Sequence, residues 1–540
     1  MSARPRRCSA SPPTPRSRRC STRSSRGSRT RSPKGPSEVS TGLAARSWAF
    51  LTSPRATWWL VGALVAVGSL IRIPQLGHTL AEAYAFRQTQ TAFVAREYSE
   101  HGIDLFRTPL PVFGPDADVP MEFPLWQGIA ALFMMAGQPA DVAVRTLALL
   151  SFQLCAVLLA VLVRRWHGAA AAVVSVGLLQ FLPFGLLWGA ASLIDFFSVA
   201  LSLLMVIGID AWFERRHLPW LAVGSAAAVL AFLVKVTTVP SWGLLLVVSL
   251  VLMLRARGWV GSWRRLLAGL IGPVAGFAAA LAWTAYADAV KRAEPLTQFL
   301  TSSQLRDWNF GTLSQRVEAD GYWTILGRLA GEIAGPMLFG LAIAVAAAIF
   351  QSRFEDRLRS LGWLLVAVSA PLVFFNLYVV HSYYLIAIYP AIVAAMAVGG
   401  VWLLRTLRVQ RWQRVALAAL ATGVLFAGTV LSPQGHANVA QWARGNAEPA
   451  LSRLLAERTP EGSPVIIVGC DWDPSFLYYA QRAGMMFRGS DAGDTWSRHD
   501  IGAYAALYNC RPDLDPADYL PAGVVAVGTD DPGLYRLEQR

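Results

Sequence analysis

The sequence predicts a mainly α, polytopic transmembrane bundle of the eleven-span kind, carrying a small α/β domain at its C-terminal end on the outer side of the bilayer. Three observations predict it. Of 540 residues, 54% are hydrophobic and only 15% charged, too little charge for a soluble chain of this size. Apolar runs of about 20 residues, the length that spans a ~30 Å hydrocarbon core as a helix, recur along the chain. Short basic loops punctuate them, and Trp, with 20 copies, is frequent, as at membrane interfaces.

The basic charge is unevenly distributed. Residues 1–56 hold thirteen Arg or Lys against one acid, Glu38, so +12 of the +14 net charge lies there. This Ser/Arg/Pro-rich tail has no periodicity, which predicts a disordered cytoplasmic segment and excludes a nucleic-acid-binding domain. Two readings of it stand open: an anionic-headgroup contact, or an over-extended start with no function. The first apolar run is too distant and too long for a signal peptide.

The first span is expected at about 57–74. Residues 123–136 form an apolar stretch of only about 14 residues, short for a crossing, and are expected to be re-entrant or interfacial on the outer side. Further spans are expected near 140–163, 168–188, 191–212, 218–234, 238–254, 266–287, 327–350, 361–380, 383–404 and 415–431. With this register Arg164-Arg165, Arg215-Arg216, Arg255 to Arg265, Arg353 to Arg359 and Arg405 to Arg414 all face the cytoplasm. The N-terminus is then cytoplasmic. Three segments lie outside: a first loop over 75–139, a second over 288–326, and a domain over 432–540. In that domain Val465-Ile466-Ile467-Val468 reads as a buried strand, Phe476 to Ala480 as the start of a helix and Gly523 to Gly528 as a second strand. Cys470 and Cys510 could pair if it faces an oxidising compartment.

The first outer loop carries the densest polar chemistry. Glu82 precedes the run FRQTQTA at 86–92, whose Arg87, Gln88, Thr89, Gln90 and Thr91 follow closely on a span. Asp104, Asp116 and Asp118 come next, then Glu122 before Phe123-Pro124. Glu122 has two readings: a favourable charge at the start of an apolar helix, or a partly desolvated carboxylate able to bind an acceptor hydroxyl and take its proton. Lys235, at the outer end of a span, either snorkels or meets a lipid phosphate. His381-Ser382-Tyr383-Tyr384 end another span, where tyrosines are ordinary belt residues. Asp195 is an acid in an apolar run, near the outer boundary. Nucleotide-loop and zinc-ligand spacings are absent from the sequence, so neither a cofactor nor a metal is expected.

These residues carry a resemblance. FRQTQTA at 86–92, EFPLWQ at 122–127, HSYYLIAIYPA at 381–391 and GCDWDPSFLYYAQRAG at 469–484 are together similar to signatures of the C-type (GT-C) membrane glycosyltransferases. The bacterial members of glycosyltransferase family 39 are most alike, with protein O-mannosyltransferases and lipid A aminoarabinose transferases as relatives. The resemblance spans roughly 57–500. It implies sugar transfer from a polyprenyl-phosphate donor to a glycan, lipid or protein acceptor at the outer face of the cytoplasmic membrane. No nucleic acid and no cofactor take part. It also implies displacement at the anomeric carbon, generally with inversion, a carboxylate activating the acceptor while cations stabilise the departing phosphate. Arg87, Gln88, Lys235, His381 and Tyr384 are the residues implied to hold donor phosphate or substrate; Glu82 and Glu122 are the catalytic candidates. Close relatives often carry an acid directly before the Phe-Arg-Gln run, where this chain has Ala85. Glu82 in its place, Glu122 alone, and a loss of activity therefore all stand open. A transporter or flippase for a lipid-linked sugar, and a non-catalytic assembly protein of the same fold, are the competing readings; a flippase is expected to set charge near mid-bilayer and to show repeats.

Overall fold

The computed structural model describes residues 54–335, 338–488, 496 and 499–540. Nearly all of the basic tail expected over 1–56 lies outside the described residues. The first helix, α1 (Pro54–Leu70), is followed by α2 (Ala85–His101) and α3 (Leu125–Met135) of the first loop. The bundle continues with α4 (Ala140–His167), α5 (Ala169–Phe181), α6 (Asp195–Arg215), α7 (Leu218–Lys235) and α8 (Val239–Ala293). It closes with α9 (Leu338–Phe350), α10 (Phe354–Val373), α11 (Tyr389–Thr406) and α12 (Arg411–Leu431). Five of these, α4, α6, α7, α8 and α11, are long and apolar enough to cross a bilayer. Large apolar side chains such as Trp59, Phe277 and Leu420 face outward, as on a bundle solvated by lipid.

The helices depart from the expected spans where proline and glycine intervene. The span expected over 168–188 breaks at Leu182, whose ψ of 145° is forced by Pro183, and a second short helix runs Pro183–Trp188. The span expected over 191–212 starts only at Asp195, so this acid stands at a helix N-terminus rather than within a helix. The span over 361–380 breaks at Phe374, close after Pro371. The one over 383–404 opens with a 3-10 turn, Ser382–Ala387, before Pro390 starts α11. Helical hydrogen bonding runs through α8, but Gly258, at φ 67° and ψ 173°, divides it within the basic stretch Arg255 to Arg265, where two spans were expected. The expected re-entrant segment is the eleven-residue α3. At 1.5 Å per residue it is about 16 Å long, half of what a crossing needs.

Small residues let the helices close up. A Cβ on Gly208 would stand 2.7 Å from Gly224 Cα, and one on Gly399 would stand 2.8 Å from Ala344 Cα. Such contacts trade side chains for backbone approach, the packing available where lipid gives no hydrophobic drive.

The C-terminal segment forms a five-stranded sheet in the order β2-β1-β3-β5-β4. The strands are β1 (Val465–Val468), β2 (Gly484–Phe487), β3 (Ala506–Asn509), β4 (Val524–Gly528) and β5 (Leu534–Gln539). β1 lies between two parallel neighbours and is wholly buried, which its unbroken apolar run requires. Cys470 and Cys510 are joined as a disulfide, with Cα atoms 5.4 Å apart. The open edge of β2 is covered by the segment before α3: Gly484 N–H donates to Pro111 O and Met486 N–H to Val112 O, both at 2.9 Å. That pairing seals an edge that would otherwise invite another chain.

Candidate functional site

Glu122 is fixed by its neighbours on either side. The indole Nε1–H of Trp283, on α8, donates to Met121 O at 3.0 Å, and Phe123 N–H donates to Leu233 O, near the end of α7, at 3.1 Å. The carboxylate is thereby held at the joint of α3, α7 and α8. Its partner is the Arg87 guanidinium, in the first turn of α2, which also donates to Gln90 Oε1 at 2.6 Å. Burial pushes the Glu122 carboxyl up, but Arg87, Lys235 and the hydrogen bonds it accepts outweigh burial and hold it below the usual carboxylate range. Burial likewise opposes charge on Arg87, and Glu122, Tyr383 and Tyr384 outweigh it, so the guanidinium is a fixed cation.

A second ion pair stands close by. Lys235 Nζ lies 2.7 Å from Asp195 Oδ1, both side chains being almost fully buried. The ammonium also sits over Tyr384 and Tyr383, 5.1 and 5.7 Å from their ring centroids. Those two rings stack on each other at 4.3 Å. Lys291, near the end of α8, pairs with Asp288 at 3.4 Å, donates to Leu300 O at 2.6 Å and interacts more weakly with Glu122 through charge. Arg87 thus pairs with Glu122 directly, and Lys235, paired with Asp195, adds its charge from a second helix.

Tyr84 ties the first loop to the segment 381–384. It occupies the left-handed region, φ 55°, just before α2, a conformation that costs a non-glycine residue about 1–3 kcal/mol. Its hydroxyl accepts Ser382 N–H at 2.9 Å, and its ring meets those of Tyr383 and His381 edge-on at 5.0 and 5.1 Å. Burial, then the nearby Arg328, lowers the His381 imidazole to about 4. It is neutral near pH 7 and can offer a phosphate a hydrogen bond but no charge.

Glu82 and Gln88 lead elsewhere. Glu82 is buried, with Oε1 2.9 Å from Arg145 Nη2. Arg145 also donates to His78 O, Thr79 O and Ala190 O. Gln88 donates to Ala83 O at 3.0 Å and accepts Ser192 N–H at 2.9 Å, fixing the turn that leads into α6. The structure therefore joins Arg87, Glu122, Lys235, His381 and Tyr384 through a shared set of charges and rings, while Glu82 and Gln88 belong to a buried network centred on Arg145.

Reading the sequence missed Tyr84, Arg145, Lys291 and Asp141. Arg145, a guanidinium inside an apolar span, was the detectable one, since such residues are costly and mark polar networks. Asp141 anchors the C-terminal domain. Tyr478 and Tyr479 donate to its two carboxylate oxygens at 2.6 and 3.0 Å, and Arg96 Nη1 donates to Tyr478 O at 2.8 Å. Trp472 meets Phe86 at 4.6 Å and Phe113 at 5.7 Å, so the run 469–484 is the seam between sheet and loop. Among the described residues no group of three or more His, Cys, Asp or Glu is arranged to hold a metal ion.

Solved structures share this architecture. ArnT from Cupriavidus metallidurans bound to undecaprenyl phosphate matches with a TM-score of 0.54 and 19% identity, over 81% of this chain and 87% of that one. The fold is the GT-C fold. ArnT in its apo state matches with the same score and identity, over 80% and 86% of the two chains. The archaeal oligosaccharyltransferase AglB from Archaeoglobus fulgidus, in complex with an inhibitory peptide and a dolichol-phosphate, matches with a TM-score of 0.51 and 14% identity, over 85% of this chain and 70% of its own. No family model and no curated protein matches the sequence.

Proposed function

We propose that this protein is a membrane glycosyltransferase that moves a sugar from a polyprenyl-phosphate donor to an acceptor on the outer side of the cytoplasmic membrane. The observation that carries the reading is the Glu122 carboxylate paired with Arg87 and lying in the field of Lys235. Such a site offers one group to take a proton and several to receive an anion. The acceptor oxygen attacks the anomeric carbon, the bond from that carbon to the phosphate oxygen breaks, and the hydroxyl proton passes to Glu122. The departing lipid phosphate gathers negative charge beside Arg87 and Lys235, cations already in place before the reaction. His381 and Tyr384 serve as neutral partners of that phosphate. Glu82 positions rather than reacts, because it is buried with Arg145 in a network apart from Arg87 and Lys235. The ligands of the two neighbours, undecaprenyl phosphate and dolichol-phosphate, agree with a lipid-phosphate donor.

The topology proposed with it has eleven crossings, a cytoplasmic N-terminus and the domain 432–540 outside. Its support is that the C-terminal sheet, the first loop, the end of α7 and the start of α6 share one end of the bundle, whereas Arg165, Arg255, Arg257, Arg359 and Arg405 lie at the other. Cysteine labelling of intact cells at positions 300 and 500 tests it, and protection of both would refute it. The activity is tested by mass spectrometry of envelope glycans, lipids and glycoproteins from a deletion strain. One defined sugar should disappear and return with the wild-type gene but not with Glu122→Gln. An unchanged envelope, or rescue by Glu122→Gln, would refute the reading.

A further inference from the structure

At the basic end of the bundle, away from the site above, two cavities open side by side. The first, about 340 Å³, lies between the ends of α4 and α11, the turn after α9 and the start of α10. Trp166, Val398, Val401 and Trp402 form its walls, and Gln351 and Arg405 its rim. The second, about 380 Å³, is lined by Arg255, Arg257 and Arg359 and by Asp210, Glu214 and Glu355. Arg359 stands between them, because it lines the second cavity while its guanidinium lies 5.9 Å from the ring centroid of Trp166 in the first.

The charges here are unevenly satisfied. Arg165 pairs with Asp210 and Glu214 at 3.0 and 2.9 Å. Among the described residues Arg359 and Arg405 form no such pair, although Glu355 and Asp356 line the rims. Arg359 Nε is buried and has no hydrogen-bond partner. Both guanidiniums act electrostatically on His167, which lines the first cavity and whose Nε2 already accepts the Trp363 indole at 3.1 Å. Two cations therefore converge on one cavity with donor capacity to spare. A phosphodiester, with one negative charge shared by two non-bridging oxygens that match guanidinium forks, suits them.

The neighbouring surface selects the source of that phosphate. Phe350 lines the first cavity and is 71% exposed, and Ile349, Val345 and Phe339 continue an exposed apolar stripe along α9. A soluble anion would leave this stripe unused, whereas acyl chains cover it. We propose that this end of the bundle is a binding site for an anionic phospholipid, with its phosphodiester between Arg405 and Arg359 and its chains along α9. A basic pocket between helices, flanked by lipid-facing apolar surface, is the form such sites take.

Native mass spectrometry of the full-length protein with phosphatidylglycerol and phosphatidylcholine at equal concentration tests the site. The wild type should retain phosphatidylglycerol preferentially, and Arg359→Gln and Arg405→Gln should each cut that preference about fivefold, the share of one basic contact. Ser352→Trp, which fills the first cavity from its exposed rim without changing charge, should cut it as well. Arg408→Gln, an exposed cation outside both cavities, should leave it intact. Equal retention of the two lipids by the wild type, or equal loss in Arg408→Gln, would overturn the site. Displacement of phosphatidylglycerol by millimolar glycerol phosphate would show a soluble anion and overturn the lipid assignment.

Discussion

Replacing Arg87 by Gln should unmask Glu122 and move the acid limb of the pH–rate profile upward. In the structure the guanidinium, together with Lys235, keeps this carboxyl below its ordinary value of 4.5 against the opposing pull of burial. Removing that opposite charge should raise the Glu122 carboxyl, with burial now less opposed. The sign is fixed: a carboxylate held down stays deprotonated at lower pH, and its loss of activity on acidification comes late. The acid limb of wild-type kcat/KM should therefore have its midpoint below pH 4.5, and that of Arg87→Gln should lie at higher pH. The same variant loses an anion partner for the donor, so KM for the lipid-phosphate sugar should rise more than KM for the acceptor. The assay is release of polyprenyl phosphate by protein in lipid vesicles, followed from pH 4 to 8 with the donor that the deletion strain identifies. An acid limb at the same pH in both proteins would refute Glu122 as the group that takes the proton, and equal rises in both KM values would make Arg87 structural.

Three further outcomes follow from the same geometry. Glu122→Gln should lower kcat by about 10²–10⁴ with a circular dichroism spectrum and melting point close to wild type, since a general base contributes about that factor; wild-type turnover would refute the site. Glu82→Gln should instead act on folding, because it strands the fully buried Arg145, and breaking such a pair costs about 3–5 kcal/mol; the melting point in detergent should fall clearly, and a normal melting point with lost turnover would make Glu82 catalytic. Asp141→Asn should weaken the grip on Tyr478 and Tyr479 and expose the seam, read as faster limited proteolysis between residues 432 and 465, while unchanged cleavage would place the anchor elsewhere.

Periodicity and loop charge made the bundle legible, and the motif runs made the candidate site legible in part. The buried strand Val465–Val468 announces itself because a strand flanked by two parallel neighbours must be apolar on both faces. Gly484–Phe487 and Ala506–Asn509 do not, since neither is a run of β-branched residues like Val465–Val468 and their state depends on the strands they meet. Helix breaks were blurred for a related reason: hydropathy runs on through Leu182-Pro183 and Phe374, where the backbone stops. In the site, residue types were readable and partners were not. Glu82 looked like the natural acid because it is near Arg87 in the chain, yet its charge meets Arg145, a full helix away.

The substitution at Ala85 acquires a physical sense from Tyr84. A carboxylate at position 85 would enter the first turn of α2, two residues before Arg87 and next in the chain to Tyr84. Here that position is apolar, and the negative charge that Arg87 requires comes instead from Glu122, held from both sides by Met121 O and Phe123 N–H. A carboxylate fixed by backbone bonds needs little reorganisation when charge shifts around it, which favours one acid doing the work two might share. The cost is the strained Tyr84, offset by ring contacts with Trp188, His381 and Tyr383 and by the Ser382 hydrogen bond. Tyr84→Phe separates these terms: it keeps the rings and removes the bond, so it should loosen the segment 381–384 by about 1 kcal/mol while leaving Glu122 below the usual carboxylate range. Lost turnover with an unmoved acid limb would mark Tyr84 as the residue that positions the two halves of the site against each other.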